Sequence, residues 1–201
     1  MNLSIVIPNY NGEQILGKNL VKVLSAIADY NTGSVELIIA DDASSDNSIK
    51  IIEDFINNNQ KNSKVKLKLL KSTKNKNEGF SSNVNRGVAV SSGEIIVLLN
   101  SDVIPNKNFM NPLIKHFENE KVFAVGCMDE SQENGKVIPR GRGVGKWNKG
   151  LMVHSAGDLD KTDTLWVSGG SGAFRRSIWD ELGGLDRLYD PFYWEDIDLS
   201  Y

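Results

Sequence analysis

The chain has 201 residues, 40% hydrophobic and 24% charged, with a net charge of −3. That balance fits one globular domain with a sizeable core and excludes a basic nucleic-acid-binding stripe or an acidic disordered arm. A single cysteine, Cys127, excludes an internal disulfide framework and a cysteine-based zinc cluster and fits a reducing compartment.

Leu3–Pro8 is a nearly continuous apolar run, predicted as a strand covered on both faces. Leu16, Leu20, Val23, Leu24 and Ile27 then recur at helical spacing. A second strand is predicted at Glu36–Ala40, followed by a helix with Ile49, Ile52, Phe55 and Ile56 on one face and Ser45 or Asp46 as its cap. Val65–Leu70 alternates with lysines, as an outer strand does. A helix around Ser82–Ser91 leads through Gly93 into the strand Glu94–Leu99, and Asn108–Glu118 reads as a helix before the strand Val122–Cys127.

From Met128 to Asp163 glycine and polar residues dominate, and the prediction is a hairpin and a mobile loop inserted in the domain. Gly141, Gly143 and Gly145 do not follow a strand and open a helix, and Trp147 stands where a phosphate loop needs Ser or Thr, so neither nucleotide fingerprint fits. The run LWVSGGSGAFRRSIWDELGGLD is predicted as a strand, a glycine turn and a short helix from about Arg176. Strands alternating with helices imply an α/β fold with a mostly parallel sheet and ligands beyond the carboxyl ends of its strands. The opening MNLSIVIPNYNG lacks a signal-peptide pattern. No segment reaches the ~20 apolar residues of a spanning helix. The expected location is cytoplasmic, with peripheral attachment at the inner face of the cell membrane, through a C-terminal part beyond Tyr201, left open.

Pro8, Asp42 and Asp102 fall at strand ends and are expected to converge. The Tyr10 ring offers a flat face to a nucleobase, with backbone near Pro8 for its edge; as bare sequence, PNYN is also a strand-to-turn junction. Of Asp41 and Asp42, the second is preferred as an acceptor for a base N–H or a ribose hydroxyl, and Asp46 as the helix cap. Asn100-Ser101-Asp102 is the metal candidate, because magnesium and manganese are shared between one or two carboxylates and substrate phosphates. A turn aspartate before Pro105 is the competing reading. Gly169-Gly170-Ser171-Gly172 is either a tight connection or a close approach of backbone to phosphate or sugar. Arg175-Arg176 lies near a diphosphate or in solvent. Glu195-Asp196, with Asp198 two residues on, suits an acidic first helical turn. It equally suits a general base, Asp196, with Phe192, Tyr193 and Trp194 as a sugar platform and a partly dry surround that raises a carboxylate pKa. His116 and His154 lack ligand-like spacing.

Together, SIVIPNYNG, ELIIADDASSDNS, GFSSNVNRGVAVSSGEIIVLLNSDV and SGGSGAFRRSIWDELGGLDRLYDPFYWEDIDLSY resemble the family 2 inverting glycosyltransferases of the GT-A fold, from the first strand to the last residue. The resemblance implies a single GT-A domain over residues 1–201, a Rossmann-like, mostly parallel mixed sheet flanked by helices. It further implies that Tyr10 stacks on the base, Asp42 contacts base or ribose, and Pro8 and Gly79 line the donor site. Asp102 stands where the last Asp of the DXD motif binds a divalent cation (Mn or Mg), and Asp196 where the catalytic base is found. Ser101 and Gly170 are further donor-side candidates; Trp194 and Glu195 are acceptor-side candidates.

The DXD position reads Asn100-Ser101-Asp102, with only the last carboxylate present. This is similar to the branch containing rhamnosyltransferases and other cell-envelope sugar transferases, which puts a dTDP-sugar level with a UDP-sugar and leaves strict metal dependence open. Relatives continue past the position of Tyr201, so a donor-binding core lacking its acceptor-side end is expected. The expected reaction moves a sugar from a nucleotide-diphosphate sugar to a saccharide or lipid-linked hydroxyl, in cell-envelope polysaccharide synthesis, with no nucleic-acid partner. The alternatives are a non-catalytic sugar-nucleotide-binding module and a sugar nucleotidyltransferase. The latter needs a glycine-rich basic loop after the first strand, which PNYNGEQ is not.

Overall fold

All seven residues of strand β1 (Leu3–Asn9) are buried because both of its faces are covered. In the computed structural model, which describes residues 1–61 and 64–201, Leu3, Ile5 and Ile7 enter one side of the core and Val6 the other, as the period of two requires. Helices α1 (Glu13–Ile27) and α2 (Ser48–Asn59) cover the first face with Leu16, Leu20, Val23, Ile27, Ile52 and Phe55. Helix α3 (Phe80–Ala89) covers the second with Val84 and Val88. It approaches closely because residue 87 is glycine: a Cβ there would stand 2.5 Å from Val6 Cγ1. Strands β2 (Val35–Asp41) and β4 (Ile95–Leu99) are likewise buried throughout. Each fully buried aliphatic side chain contributes roughly 1.5–3 kcal/mol, so these three strands anchor the fold. Between them in sequence, β3 (Lys66–Lys71) lies at the sheet edge, where its lysines belong.

The six-stranded sheet has the order β3-β2-β1-β4-β10-β5, with β5 at Ala124–Gly126 and β10 at Ser171–Arg175. Strand β10 runs antiparallel to both neighbours and the remaining pairings are parallel. The chain winds outward from β1 to β3, then returns to place β4 on the other side of β1. Strand order therefore reverses between β1 and β4, where diverging connections open a ligand crevice beyond the carboxyl ends.

Residues 128–163 hold more regular structure than the predicted hairpin and loop. They form two antiparallel hairpins, β6 (Asp129–Glu133) with β7 (Lys136–Arg140) and β8 (Gly143–Asn148) with β9 (Leu151–Ala156). Both turns, Asn134-Gly135 and Lys149-Gly150, have positive φ at each residue, the two-residue arrangement that matches strand twist. The second hairpin is docked: Trp147 Nε1 donates to the Tyr201 hydroxyl at 2.8 Å, and the His154 ring meets Trp166 and Trp194 edge-on.

The strand predicted from Leu165 instead begins at Ser171. Val167 packs across Gly172, where a Cβ would collide with it, so the LWVS run covers the strand rather than forming it. The predicted helix at Asn108–Glu118 is shorter, α4 at Met110–Lys115 followed by a 3-10 turn at His116–Glu118. Helices α5 (Arg176–Leu182) and α6 (Glu195–Ser200) complete the second face with Trp179 and Leu199. No helix among the described residues is long and apolar enough to cross a membrane.

Candidate active site

Pro8, Tyr10, Asp42, Gly79, Ser101 and Asp102 line one pocket of about 330 Å³ at the carboxyl ends of β1, β2 and β4. Geometry separates the two adjacent carboxylates. Asp41 braces the turn after β2, accepting from the Ser44 N–H at 3.0 Å, the Ser44 hydroxyl at 2.6 Å and the Asn9 amide at 2.9 Å. Asp42 Oδ2 accepts from the backbone N–H groups of Glu78 and Gly79 at 2.9 and 3.0 Å, while its Oδ1 is buried without a partner. An unpaired buried acceptor costs about 1–3 kcal/mol. In a pocket wall, a ligand N–H or O–H can satisfy it.

Gly79 has φ 102°, and a Cβ there would collide with the Asp190 carboxylate, so only glycine suits this corner. Tyr10 stands on the rim, 51% exposed. Ser101 is held through its carbonyl, which accepts from the Asn19 amide at 2.9 Å, and Asp102 is exposed in the turn after β4.

Asp196 reaches this region because the chain before it is stitched to α3. The Phe80 N–H donates to the Pro191 carbonyl at 3.1 Å, and Pro191 and Phe192 line the same pocket as Asp42. Asp196 Oδ2 accepts from the Gly169 N–H at 3.3 Å. A Cβ on Gly169 would lie 3.4 Å from Phe80 Cε1 and 3.6 Å from Asp196 Cβ. Asp196 is thus beside the pocket, across Gly169 from Phe80, rather than in its wall. Trp194 opens α6 with φ 87°, its ring edge-on to His154 at 4.8 Å. Glu195 is 5% exposed with Oε2 unpartnered, and burial, then the charges of Asp196 and Asp190, push its carboxyl up. Phe192 and Tyr193 project into solvent, so the burial that raises Glu195 does not come from these two rings.

A larger cavity of about 1140 Å³ adjoins the first, and Gly170 lines this one. Gly170 meets Asn100 closely: its carbonyl accepts the Asn100 N–H at 2.8 Å, and a Cβ would stand 2.6 Å from the Asn100 amide. The arginine pair takes neither predicted place. Arg175 donates to the carbonyls of Phe117, Asn119 and Val122, and Arg176 to the Gly93 carbonyl and the Ser91 hydroxyl. Arg175 pairs with Ile95, at the end of β4 away from the pocket.

Among the described residues no three His, Cys, Asp or Glu side chains converge as a metal site. The all-oxygen set of Asp102 with Asn100 beside it still fits magnesium or manganese, which accept one or two protein oxygens when substrate phosphates supply the rest. Two residues outside the sequence-derived set brace the site. Asn83 donates to the Ala40 carbonyl at 2.8 Å, and Arg86 donates to the Asp41 carbonyl and to Asn83 Oδ1 at 2.8 and 2.7 Å. Their signal is a polar pair three residues apart on the helix that covers β1 and β2. The N-cap of α2 is Asn47 rather than the predicted Ser45 or Asp46; Asp46, one residue earlier, accepts from the Ser48 N–H and the Glu13 N–H and so joins the starts of α2 and α1.

The rhamnosyltransferase RfbN of the Salmonella typhimurium O-antigen chain is 24% identical over 187 residues, 92% of this chain and 55% of the relative. The glycosyltransferase GlyG of Streptococcus pneumoniae is 28% identical over 124 residues, 61% of this chain and 37% of the relative. The chain thus spans less than two thirds of these relatives. The mannosyltransferase PcManGT from Pyrobaculum calidifontis, solved with GDP-Man and Mn2+, aligns with TM-score 0.69 at 17% identity over 98% of this chain and 50% of that one. The α/β fold is that of the GT-A glycosyltransferases. The model of glycosyl transferase family 2 matches residues 4–183, ending before α6. The chain belongs to glycosyl transferase family 2.

Proposed function

We propose that the protein transfers a sugar from a nucleotide-diphosphate donor to an acceptor hydroxyl with inversion at the anomeric carbon. The observation that carries this reading is the unpartnered Asp42 Oδ1 in a pocket that adjoins Asp196 across Gly169. Tyr10 stacks on the base, and Asp42 accepts from a base N–H or a ribose hydroxyl. Pro8, Gly79 and Ser101 shape the same pocket. Asp196, oriented by the Gly169 N–H, takes the acceptor proton as the acceptor oxygen attacks the anomeric carbon and the bond to the diphosphate breaks. One displacement without a covalent glycosyl-enzyme inverts configuration. Asp102, with Asn100, would hold magnesium or manganese together with the diphosphate oxygens, where the cation supplies charge neutralisation for the leaving group.

UDP- and dTDP-sugars are the preferred donors, as the resemblance of the Asn100-Ser101-Asp102 motif implies. The neighbour bound to GDP-Man adds a GDP-sugar to the candidates. The acceptor is a saccharide or lipid-linked hydroxyl of the cell envelope, approached from the side of Trp194 and Glu195. The test is a donor screen scored by released nucleoside diphosphate, with and without manganese. Release that depends on an added saccharide supports transfer; nucleotide binding with no release from any donor makes the protein a binding module instead.

A further inference from the structure

The contacts proposed for the donor reach the larger cavity, of about 1140 Å³, only at Asn100 and Asp102, and leave its β6 wall without a role. It continues from the donor pocket, since Asn100 and Asp102 belong to both walls. Ser168 and Gly170, on either side of the residue whose N–H holds Asp196, also line it. The wall contributed by β6 carries Asp129, half-buried, whose Oδ2 accepts from the hydroxyl of the buried Ser171 at 2.6 Å. Its other oxygen makes no hydrogen bond and it pairs with no cation among the described residues. Ser171 thus fixes the direction of a carboxylate that presents a free acceptor to the cavity.

The occupant's chemistry follows from this lining. Three carboxylates, Asp102, Asp129 and Glu130, against Lys107 and His116 make the lining favour a neutral occupant over an anion that no cation bridges. Polar hydrogen-bonding groups share the wall with apolar Val103 and Phe109, which matches a sugar ring with hydroxyls at its rim and C–H groups on its faces. A charge-assisted hydrogen bond from a hydroxyl to a carboxylate is about twice as strong as a neutral one.

We infer that this cavity is the subsite for the acceptor saccharide, with Asp129, set by Ser171, accepting hydrogen bonds from ring hydroxyls so that another hydroxyl of the same sugar faces Asp196. The inference rests on the transferase reading above and adds to it the place and chemistry of the acceptor. Asp129 is a specificity residue: a site built around a buried acceptor rejects an analogue that lacks the matching hydroxyl.

The probe is a panel of methyl hexopyranosides of gluco, galacto, manno and rhamno configuration, measured by saturation-transfer NMR on the protein saturated with UDP or dTDP. At least one glycoside is expected to bind. Asp129→Asn should weaken it about tenfold or more, and Ser171→Ala by a smaller factor, with nucleotide and manganese affinities unchanged. Unfolding midpoints of both variants establish that they fold. The inference is overturned if nucleotide binds but no glycoside does, or if the glycoside binds Asp129→Asn as well as the wild type. Loss of manganese affinity in Asp129→Asn also overturns it, by making the residue a cation ligand. Failure of either nucleotide to bind the wild type would instead remove the transferase reading itself.

Discussion

Asp190 and Ser82 lie 108 positions apart, and the carboxylate of the first accepts the hydroxyl proton of the second at 2.5 Å. Asp190 also accepts from the Ser81 N–H at 2.9 Å and the Ser82 N–H at 3.4 Å. These are first-turn donors of α3 with no partner inside the helix. The residue at the N-cap of that helix, Gly79, has no side chain to offer. The cap therefore comes from the segment that leads into Asp196, and one contact stabilises a helix while holding Asp196 near the pocket of Asp42.

Asp190→Ala should lower the unfolding free energy by about 1–2 kcal/mol, the worth of a helix cap. Transfer should fall more than nucleotide affinity does. Urea unfolding and nucleoside diphosphate release, measured side by side well below the midpoint, check both. A stability loss with transfer unchanged would reduce Asp190 to a cap alone.

Asp42→Asn leaves one oxygen to serve the Glu78 and Gly79 N–H groups and replaces the other, or the charge behind it, with an amide. Nucleotide affinity should drop roughly 10- to 100-fold, the range for a hydrogen bond to a charged group. Calorimetric titration with UDP and dTDP reads this, and undiminished affinity would move the base elsewhere.

Glu195 makes the site costly at neutral pH. Its carboxyl is raised above 4.5 by burial, with the Asp196 and Asp190 charges adding to it. Between the ordinary value and the raised one, the folded state keeps a proton that the unfolded state has released, so stability falls as pH rises through that window. Glu195→Gln should be more stable than wild type at pH 7, with the advantage shrinking at pH 4. Urea titrations at the two pH values test it, and equal differences at both would contradict it.

Glu36 behaves oppositely. Burial alone would raise its carboxyl, but hydrogen bonds from Lys68, Ser4 and Ser92 outweigh this and hold it at about 2. Its contribution is present above 4.5 and is lost as pH falls toward 2. The loss should be on the order of 2–3 kcal/mol, and it should vanish from the acid limb of the stability curve in Glu36→Gln.

Much of this arrangement is legible in the letters because its signals are local. The runs at Leu3–Pro8, Glu36–Ala40 and Glu94–Leu99 are apolar throughout because helices cover both faces, and each meets a polar or acidic residue where the strand leaves the sheet. Other features depend on distant chain. Nothing near Asp190 marks it as the cap of a helix a hundred residues upstream. Asp41 and Asp42 cannot be told apart until Ser44 and Asn9 engage the first. Strand β10 reads as a turn because two of the residues at its start, Gly170 and Gly172, are glycines for packing reasons set by Asn100 and Val167. Arg175 and Arg176 read as lying near a diphosphate or in solvent, yet they hold carbonyl groups at the opposite end of the sheet. The Asn134-Gly135 turn, in contrast, is a local signal inside the segment where one hairpin and a loop are predicted, and a second hairpin, turning at Lys149-Gly150, stands in place of the loop.

That the nucleotide pocket and Asp196 form one catalytic unit is tested by comparing wild type with Asp196→Asn for two quantities, nucleotide affinity and acceptor-dependent release of nucleoside diphosphate. Affinity within about twofold, with release reduced roughly 10²- to 10⁴-fold, is the predicted outcome for loss of a general base. Release at the wild-type rate, with the nucleotide still bound, would contradict it.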